Sequence, residues 1–419
     1  MTRKLLAASA LQLMLWGVAL GFVWHTRGLF NWIGIDYGFF WAAGRAFLFD
    51  SPVSAYDVHA VTRYIQPLYA YYGPEADLLQ VGPTPYPPIF VLLFTPFAML
   101  DPSTGFMLWT VVNLGVAIYV LHGLAAHFPQ GRLVRVVLGL TFFPLAYSLF
   151  VGQMTVILLL ALYHAYISFE KGNDFRGGLW TGVLLLKPQY AIFLILVILL
   201  KRRWRAVFGV GGTGMALLLS SLVILGPDGL LKYLISLNYA SGFRSVNPVV
   251  YPEQMISWRA FLINFVPALS ETQGVILTAV LSILTAATLL IVWRGPWNPT
   301  DERFAMRIMA TMVVTLLASF HSHSHGAALL LVPGMILVAQ GIGPSLLQAV
   351  MRVSLFIPTF IFCLTGATTL VATILIVFQV LVLAMIVLDL ADLRDRTPAT
   401  QRAVQGLIPT SNRNLPRIS

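Results

Sequence analysis

Apolar residues run along this chain in stretches longer than a soluble helix needs, with polar residues confined between them. At 1.5 Å of rise per residue and about 30 Å of hydrocarbon, a run of roughly 17 to 25 apolar residues can cross a bilayer. Twelve candidate runs lie near 5–24, 87–100, 105–126, 133–151, 153–169, 177–199, 206–226, 273–293, 305–320, 326–342, 346–363 and 367–389. The pattern predicts an all-α polytopic membrane protein with about twelve transmembrane helices. The second run is short, and Val151-Gly152-Gln153 marks either a tight hairpin or a kink inside the membrane.

Two long polar stretches, 25–86 and 227–272, interrupt the apolar pattern. In the first, Asp36 to Phe49 is rich in aromatic residues at helical spacing. It is polar at its ends and too short to span, which suits an interfacial helix. Asp50-Ser51-Pro52 reads as a turn opening a second short helix through Tyr69, and Tyr86-Pro87-Pro88 starts the next span with proline in its first turn. The second stretch carries Asn238, Tyr239, Arg244, Asn247, Glu253, Gln254, Trp258 and Arg259. That mixture suits a surface that binds sugars or phosphates, and an ordinary surface loop shares it. There is no internal repeat, and no matched pair of broken helices of the kind many transporters show. The reading is one membrane domain over 1–390 and a basic tail over 391–419.

Composition narrows the class further. Of 419 residues, 58% are hydrophobic and 10% charged; the mean hydropathy is +0.82. Soluble globules carry about a quarter charged residues, so that class is excluded. The net charge of +10 could suggest nucleic acid, but the basic residues sit in short loops and the tail, where the positive-inside rule expects them. With Arg3 and Lys4 inside, twelve spans place Lys201-Arg202-Arg203-Trp204-Arg205, the Arg294–Arg307 loop and the Arg394–Arg417 tail inside as well. The same count puts both long loops outside, yet leaves Arg132, Arg135, Lys171 and Arg176 on the wrong side. The first run lacks a small-x-small cleavage site and reads as a retained helix. The single cysteine, Cys363, supplies neither a disulfide framework nor a thiolate metal site.

Against so apolar a background, the remaining ionisable residues stand out. Asp36 would have its ionised form partly desolvated at a membrane face, which raises basicity toward general-base use; an aspartate before an apolar helix is equally a common N-cap, and the two roles are compatible. Phe320-His321-Ser322-His323-Ser324-His325-Gly326 holds three imidazoles between apolar runs. His321 and His325 would share one face of a helix, whereas in an extended segment all three would point the same way; either arrangement could bind a metal or a phosphate. No nearby Cys, Asp or Glu completes a zinc shell. Lys187 lies about ten residues, or about 15 Å, from either end of its run, where it would line a polar cavity, pair with a lipid phosphate or snorkel toward an interface. Gln153 is a weaker intramembrane polar candidate. Arg45, nine residues beyond Asp36 on one helix, points to nearly the opposite side and suits lipid head groups. P-loop, dinucleotide, Gly-x-Ser-x-Gly and CxxC signals are absent, which argues against a nucleotide donor held by a cytoplasmic domain.

These pieces together resemble the GT-C superfamily of polyprenol-phosphate-dependent glycosyltransferases, and most closely glycosyltransferase family 87, the bacterial membrane mannosyltransferases. The resemblance rests on Asp-Tyr-x-x-Phe-x-x-Ala-Gly-Arg-Ala over Asp36–Ala46, then Tyr56-Asp57, Tyr86-Pro87-Pro88-Ile89-Phe90, Gly152-Gln153, Leu186-Lys187-Pro188 and the His-x-His-x-His stretch. It implies a GT-C fold and transfer of mannose from a β-linked polyprenyl phosphate to a lipid or glycan hydroxyl. The linkage formed would be α, by single displacement on the extracytoplasmic face of the bacterial cytoplasmic membrane, without a cofactor. Asp36 matches the family's base and His321 its histidine. Lys187, His323, His325, Arg244, Arg259, Gln153 and Arg45 are candidates to bind substrate or its leaving phosphate. Two departures stand out: Gly326 where many members carry an acidic residue, and the extra histidines His323 and His325. No Asp-x-Asp pair surrounds Asp36 to hold the divalent metal some GT-C enzymes use. The rival readings are a transporter or flippase of lipid-linked sugars, which predicts midplane polar residues on broken helices, and a polysaccharide polymerase or ligase.

Overall fold

The structure, a computed structural model, describes residues 2–27, 33–68, 84–237, 242–244 and 251–406, with 2, 4, 5, 22–24, 26, 27 and 392–406 described by backbone alone. Tyr69, Asn238, Tyr239, Asn247 and the tail from 407 onward lie outside the described residues. Among those described, the secondary structure is helical apart from one bridge between Met255 and His323. In chain order the helices are α1 (Thr2–Arg27), α2 (Ile35–Phe49), α3 (Val58–Ile65), α4 (Pro88–Ala98), α5 (Pro102–Ala125), α6 (Arg132–Leu140), α7 (Phe143–Val151), α8 (Thr155–Glu170) and α9 (Asp174–Val183). They continue as α10 (Ile192–Leu200), α11 (Trp204–Ser236), α12 (Trp258–Phe265), α13 (Glu271–Val292), α14 (Phe304–Ala318), α15 (Leu331–Gln340), α16 (Ser345–Val353), α17 (Ile357–Thr365) and α18 (Thr368–Gly406).

The starts of these helices are written in the sequence. Asp57 caps α3 by accepting from His59 N (2.8 Å) and Ala60 N (3.1 Å), and Asp101 caps α5 through Thr104 N at 3.0 Å. Ser270 and Gln273 close a reciprocal capping box on α13. α14 is the hub: every residue from Phe304 to Leu317 except Arg307 is buried. The outer helices do the opposite, leaving Val223 85%, Phe208 69% and Ile283 68% exposed. Such apolar surface faces lipid. Among the described residues, α5, α11, α13, α18 and the continuous α16–α17 segment are long and apolar enough to cross a membrane, and the bent pair α6 and α7 makes a sixth. The protein is membrane-embedded and all-α.

The predicted runs 87–100 and 177–199 do not form single crossing helices. The 87–100 run forms α4, an 11-residue helix of roughly 16 Å. It stays beside α2, with Tyr86 against Phe40 at one end and the Leu100 carbonyl accepting from Trp41 Nε1 (3.0 Å) at the other. The 177–199 run is a re-entrant hairpin. Asp174 and Arg203, at the starts of α9 and α11, form an ion pair (Nε to Oδ2, 2.9 Å). From there the two helices run side by side in the same direction: Gly209 meets the Phe175 carbonyl, Thr213 Oγ1 donates to Leu179 O (2.9 Å), and Leu185 reaches Gly214. Two parallel helices that start at one face require α10 to return to it. The turn is made by two 3-10 segments, Leu184–Leu186 and Pro188–Tyr190, with Lys187 between them at φ −133° and ψ 86°. Proline disfavours helical geometry in the residue before it, so Pro188 breaks the run at Lys187.

The short α4 and the hairpin together resolve the charge problem: the first moves Arg132, Arg135, Lys171 and Arg176 to the other side, and the second keeps Lys201–Arg205 with them. Lys171 and Arg176 flank the Asp174–Arg203 pair, and Lys201 Nζ donates to Gly295 O (2.7 Å) in the loop before α14. α5 runs alongside α8, with Trp109 at Gly152 and the Tyr119 ring 5.8 Å from that of His164, so α5 ends on the same side. Arg132 and Arg135 begin α6 there. The residues that seemed misplaced therefore share one basic face with Lys201–Arg205 and Arg294–Arg307. The predicted second loop starts late as well. α11 continues through Ser236 after a break at Gly226 (φ 68°, ψ 177°) before Pro227.

In a Cys363→Ser background, single cysteines at Lys171 and Arg205 are expected to react with a membrane-impermeant maleimide from the same side. Labelling from opposite sides would mean that 177–199 crosses the bilayer.

Candidate active site

Asp36 is the second residue of α2, and the helix is capped by Gly34 with no side-chain bond, so Asp36 is not an N-cap. Glycines let this helix start sit against the turn after α7. A Cβ on Gly34 would stand 2.5 Å from the Val151 carbonyl, and one on Gly152 would stand 2.5 Å from Tyr37 Cβ. Gly152 also holds φ +78°, a left-handed conformation that favours glycine, and thereby ends α7. Trp109 Nε1 locks the turn by donating to Gly152 O at 2.8 Å. The consequence is that the next residue, Gln153, hydrogen-bonds the Asp36 side chain.

Gln153 joins three elements. Its Oε1 accepts from Lys187 Nζ at 2.9 Å and from Met154 N at 3.1 Å, and its Nε2 donates to Tyr86 OH at 3.3 Å. Lys187 Nζ also stands 5.2 Å from the centre of the Tyr86 ring. Tyr86 is held in turn by Tyr56, whose hydroxyl donates to Tyr86 O at 2.9 Å. Asp36 is only half-buried, yet densely surrounded. Desolvation pushes its carboxyl up to about 6, opposed by the Lys187 charge and the Gln153 hydrogen bond. Burial and the neighbouring Asp36 charge keep the Tyr86 phenol protonated. A carboxylate so placed can accept a proton near neutral pH, with a cation close by for an anion.

The histidines form a ladder. After α14 the chain is extended, and the rings of His321 and His323 lie 5.0 Å apart, those of His323 and His325 5.9 Å. His321 to His323 follows the extended alternative, while His325 lies in the first turn of a 3-10 helix, Ser324–Leu330. The Lys187 charge reaches all three rings as well as Asp36, so the hairpin tip links the carboxylate to the imidazoles. Desolvation lowers His321 well below its usual value and His323 to about 3, with the nearby cations adding to the effect. Both rings are therefore neutral near pH 7, which leaves Lys187 as the cation beside Asp36. His325 Nδ1 bonds Thr155 Oγ1 at 2.9 Å. His321 Nδ1 is buried with no hydrogen-bond partner. Gly326 packs against the Tyr190 hydroxyl, leaving no room there for an acidic side chain. Among the described residues, no group of three His, Cys, Asp or Glu side chains is arranged to hold a metal ion.

The three arginine candidates are engaged elsewhere. Arg45 donates to Ala98 O at 3.3 Å and lies over the Trp41 and Phe49 rings, so it braces α2 against α4. Arg244 is exposed and binds the Pro267 and Leu269 carbonyls, while its N–H donates to Glu271 at 3.0 Å. Arg259, fully buried, donates to the carbonyls of Gly242, Phe243 (2.8 Å) and Phe320 (3.3 Å) and covers the Phe320 ring. With Ile256 N donating to Ser322 O at 2.7 Å, it clips the second polar stretch onto the histidine ladder. Sequence reasoning read Tyr86 only as a helix start and missed Thr155 and Tyr190. The Tyr-Pro-Pro motif was the available signal for Tyr86; Thr155 and Tyr190 had none.

The model of glycosyltransferase family 87 matches residues 84–319, a stretch that contains Tyr86, Gln153, Lys187 and Arg259 and stops just before the histidines. No curated protein and no solved structure matches the chain. Because the family match covers more than half of the 419 residues and coincides with a membrane-embedded helical structure, this chain belongs to glycosyltransferase family 87.

Proposed function

We propose that this membrane glycosyltransferase moves a sugar, mannose by its resemblance, from a polyprenyl-phosphate donor to a hydroxyl of a lipid or glycan acceptor. The site would open to the outer face of a bacterial cytoplasmic membrane in a GT-C fold. The acceptor O–H gives its proton to Asp36 as its oxygen bonds to the anomeric carbon. The bond from that carbon to the phosphate oxygen breaks with inversion, and polyprenyl phosphate leaves as an anion. The leaving group needs a cation rather than an acid, and Lys187 is in position to provide it. Neutral His321 and His323 would donate hydrogen bonds to the phosphate or the sugar. Arg259 and Arg45 act by bracing the surrounding segments. The observation that carries this reading is the Asp36–Gln153–Lys187 cluster, a carboxyl raised to about 6 beside a buried ammonium.

One observation favours the transporter reading: the helix pair around Lys187 is broken and re-entrant, as transporter sites often are. Family membership weighs the other way. A transporter would move lipid-linked sugar across vesicles without forming a new glycosidic bond.

Purified protein given polyprenyl-phosphate mannose and a lipid acceptor is expected to form mannosylated product. Asp36→Asn, which keeps the shape, should slow turnover by about 10²- to 10⁴-fold with donor binding retained. Wild-type turnover in the folded variant would remove Asp36 as base, and translocation without product would support the transporter. A second expectation concerns pH. Because Asp36 must be ionised to accept the proton, turnover should rise about tenfold per pH unit below 6 and level off above it. A profile flat from pH 5 to 7, measured in single turnover, would contradict that assignment.

A further inference from the structure

An apolar cavity of about 130 Å³, open at its mouth, lies away from Asp36 between α6, α14, α15, α16 and α18. Met309, Leu331, Met335, Val338, Leu375 and Val382 line it. Its inner end is Gln379, whose Nε2 donates to Ile256 O (3.3 Å), directly behind the histidine ladder, and whose Oε1 is buried without a partner. Its other end carries Phe128 and Arg135, on the basic face. Arg135 lies with its guanidinium 3.6 Å from the centre of the Phe128 ring and donates Nε to Gln130 O at 3.2 Å. Arg352, in the last turn of α16, follows the lining residue Met351 and is near enough for the two positive charges to repel. No carboxylate pairs with either arginine among the described residues.

Two unpaired guanidiniums at the mouth of an apolar cavity call for a ligand that is anionic at one end and hydrocarbon at the other. Planar guanidinium forks suit phosphate oxygens, and basic pockets between membrane helices on the positive side bind acidic head groups. We infer that Arg135 and Arg352 grip the phosphate of an anionic glycerophospholipid whose acyl chain fills the adjoining cavity. The lipid sits on the face opposite Asp36 and does not depend on the proposed transfer reaction. Its chain ends behind the segment that Gln379 and Ile256 hold, so occupancy would stiffen the support of the histidine ladder.

The test uses the full chain, delipidated in detergent and examined by native mass spectrometry with phosphatidylglycerol, phosphatidylcholine of the same chains, or inorganic phosphate. Wild type is expected to retain phosphatidylglycerol about thirtyfold more tightly than phosphatidylcholine, a preference that Arg135→Gln with Arg352→Gln abolishes. Arg135→Lys with Arg352→Lys keeps both charges and should keep a preference. Val338→Trp, which fills the cavity and leaves both arginines, should release the lipid. Equal retention of the two lipids by wild type overturns the proposal, as does undiminished phosphatidylglycerol binding in the glutamine pair or in Val338→Trp. Displacement of phosphatidylglycerol by an equal concentration of inorganic phosphate would reduce the site to one for free anions. Should the glutamine pair not fold, the wild-type lipid comparison and Val338→Trp still decide.

Discussion

A lysine ammonium held at the tip of a re-entrant hairpin is the constraint on which the remaining arrangement depends. An isolated buried cation costs several kcal/mol, so the fold must surround Lys187 with compensating groups. It does so from three directions: the Gln153 carbonyl oxygen at 2.9 Å, the Tyr86 ring face at 5.2 Å, and the charge of Asp36. Each partner comes from a different part of the chain. Gln153 follows the α7 turn, Tyr86 precedes α4, and Asp36 begins α2. Satisfying one charge therefore assembles the site.

The same requirement explains the close approaches around it. For Gln153 to reach both Lys187 and Asp36, the α2 start must lie directly on the α7 turn, which is why Gly34 and Gly152 have no room for a side chain. On the far side of Lys187 the histidines are held as a ladder by Arg259 and by the Ile256–Ser322 hydrogen bond. Neutral imidazoles beside a lysine avoid adding a second buried charge, and they leave one cation to face an anionic group.

Much of this could be read from the chain, and the part that could not has a physical reason. Apolar runs gave the helices because hydropathy records burial in lipid, and Asp36, Gln153, Lys187 and the histidines stood out because ionisable groups are costly in such surroundings. Direction was not readable. The 177–199 run is long enough to cross, and hydropathy is blind to a chain that turns back at Lys187-Pro188. The clue was indirect: Arg132, Arg135, Lys171 and Arg176 fall on the wrong side as long as 87–100 is counted as a crossing, and once it is not, Lys201–Arg205 stays with them only if 177–199 turns back. Side-chain partners were equally hidden. Composition alone cannot show that the Arg244 and Arg259 guanidiniums bond to backbone carbonyls.

The central claim is that Lys187 and Asp36 are electrostatically coupled across Gln153. Infrared difference spectroscopy following the Asp36 carboxyl stretch during a pH titration measures this directly, with Asp36→Asn identifying the band. The carboxyl should titrate near 6 in the wild type and at a higher pH in Lys187→Met, where the stabilising cation is gone. Titration at the same pH in both proteins, or near 4 in the wild type as for a solvated carboxyl, would contradict the account.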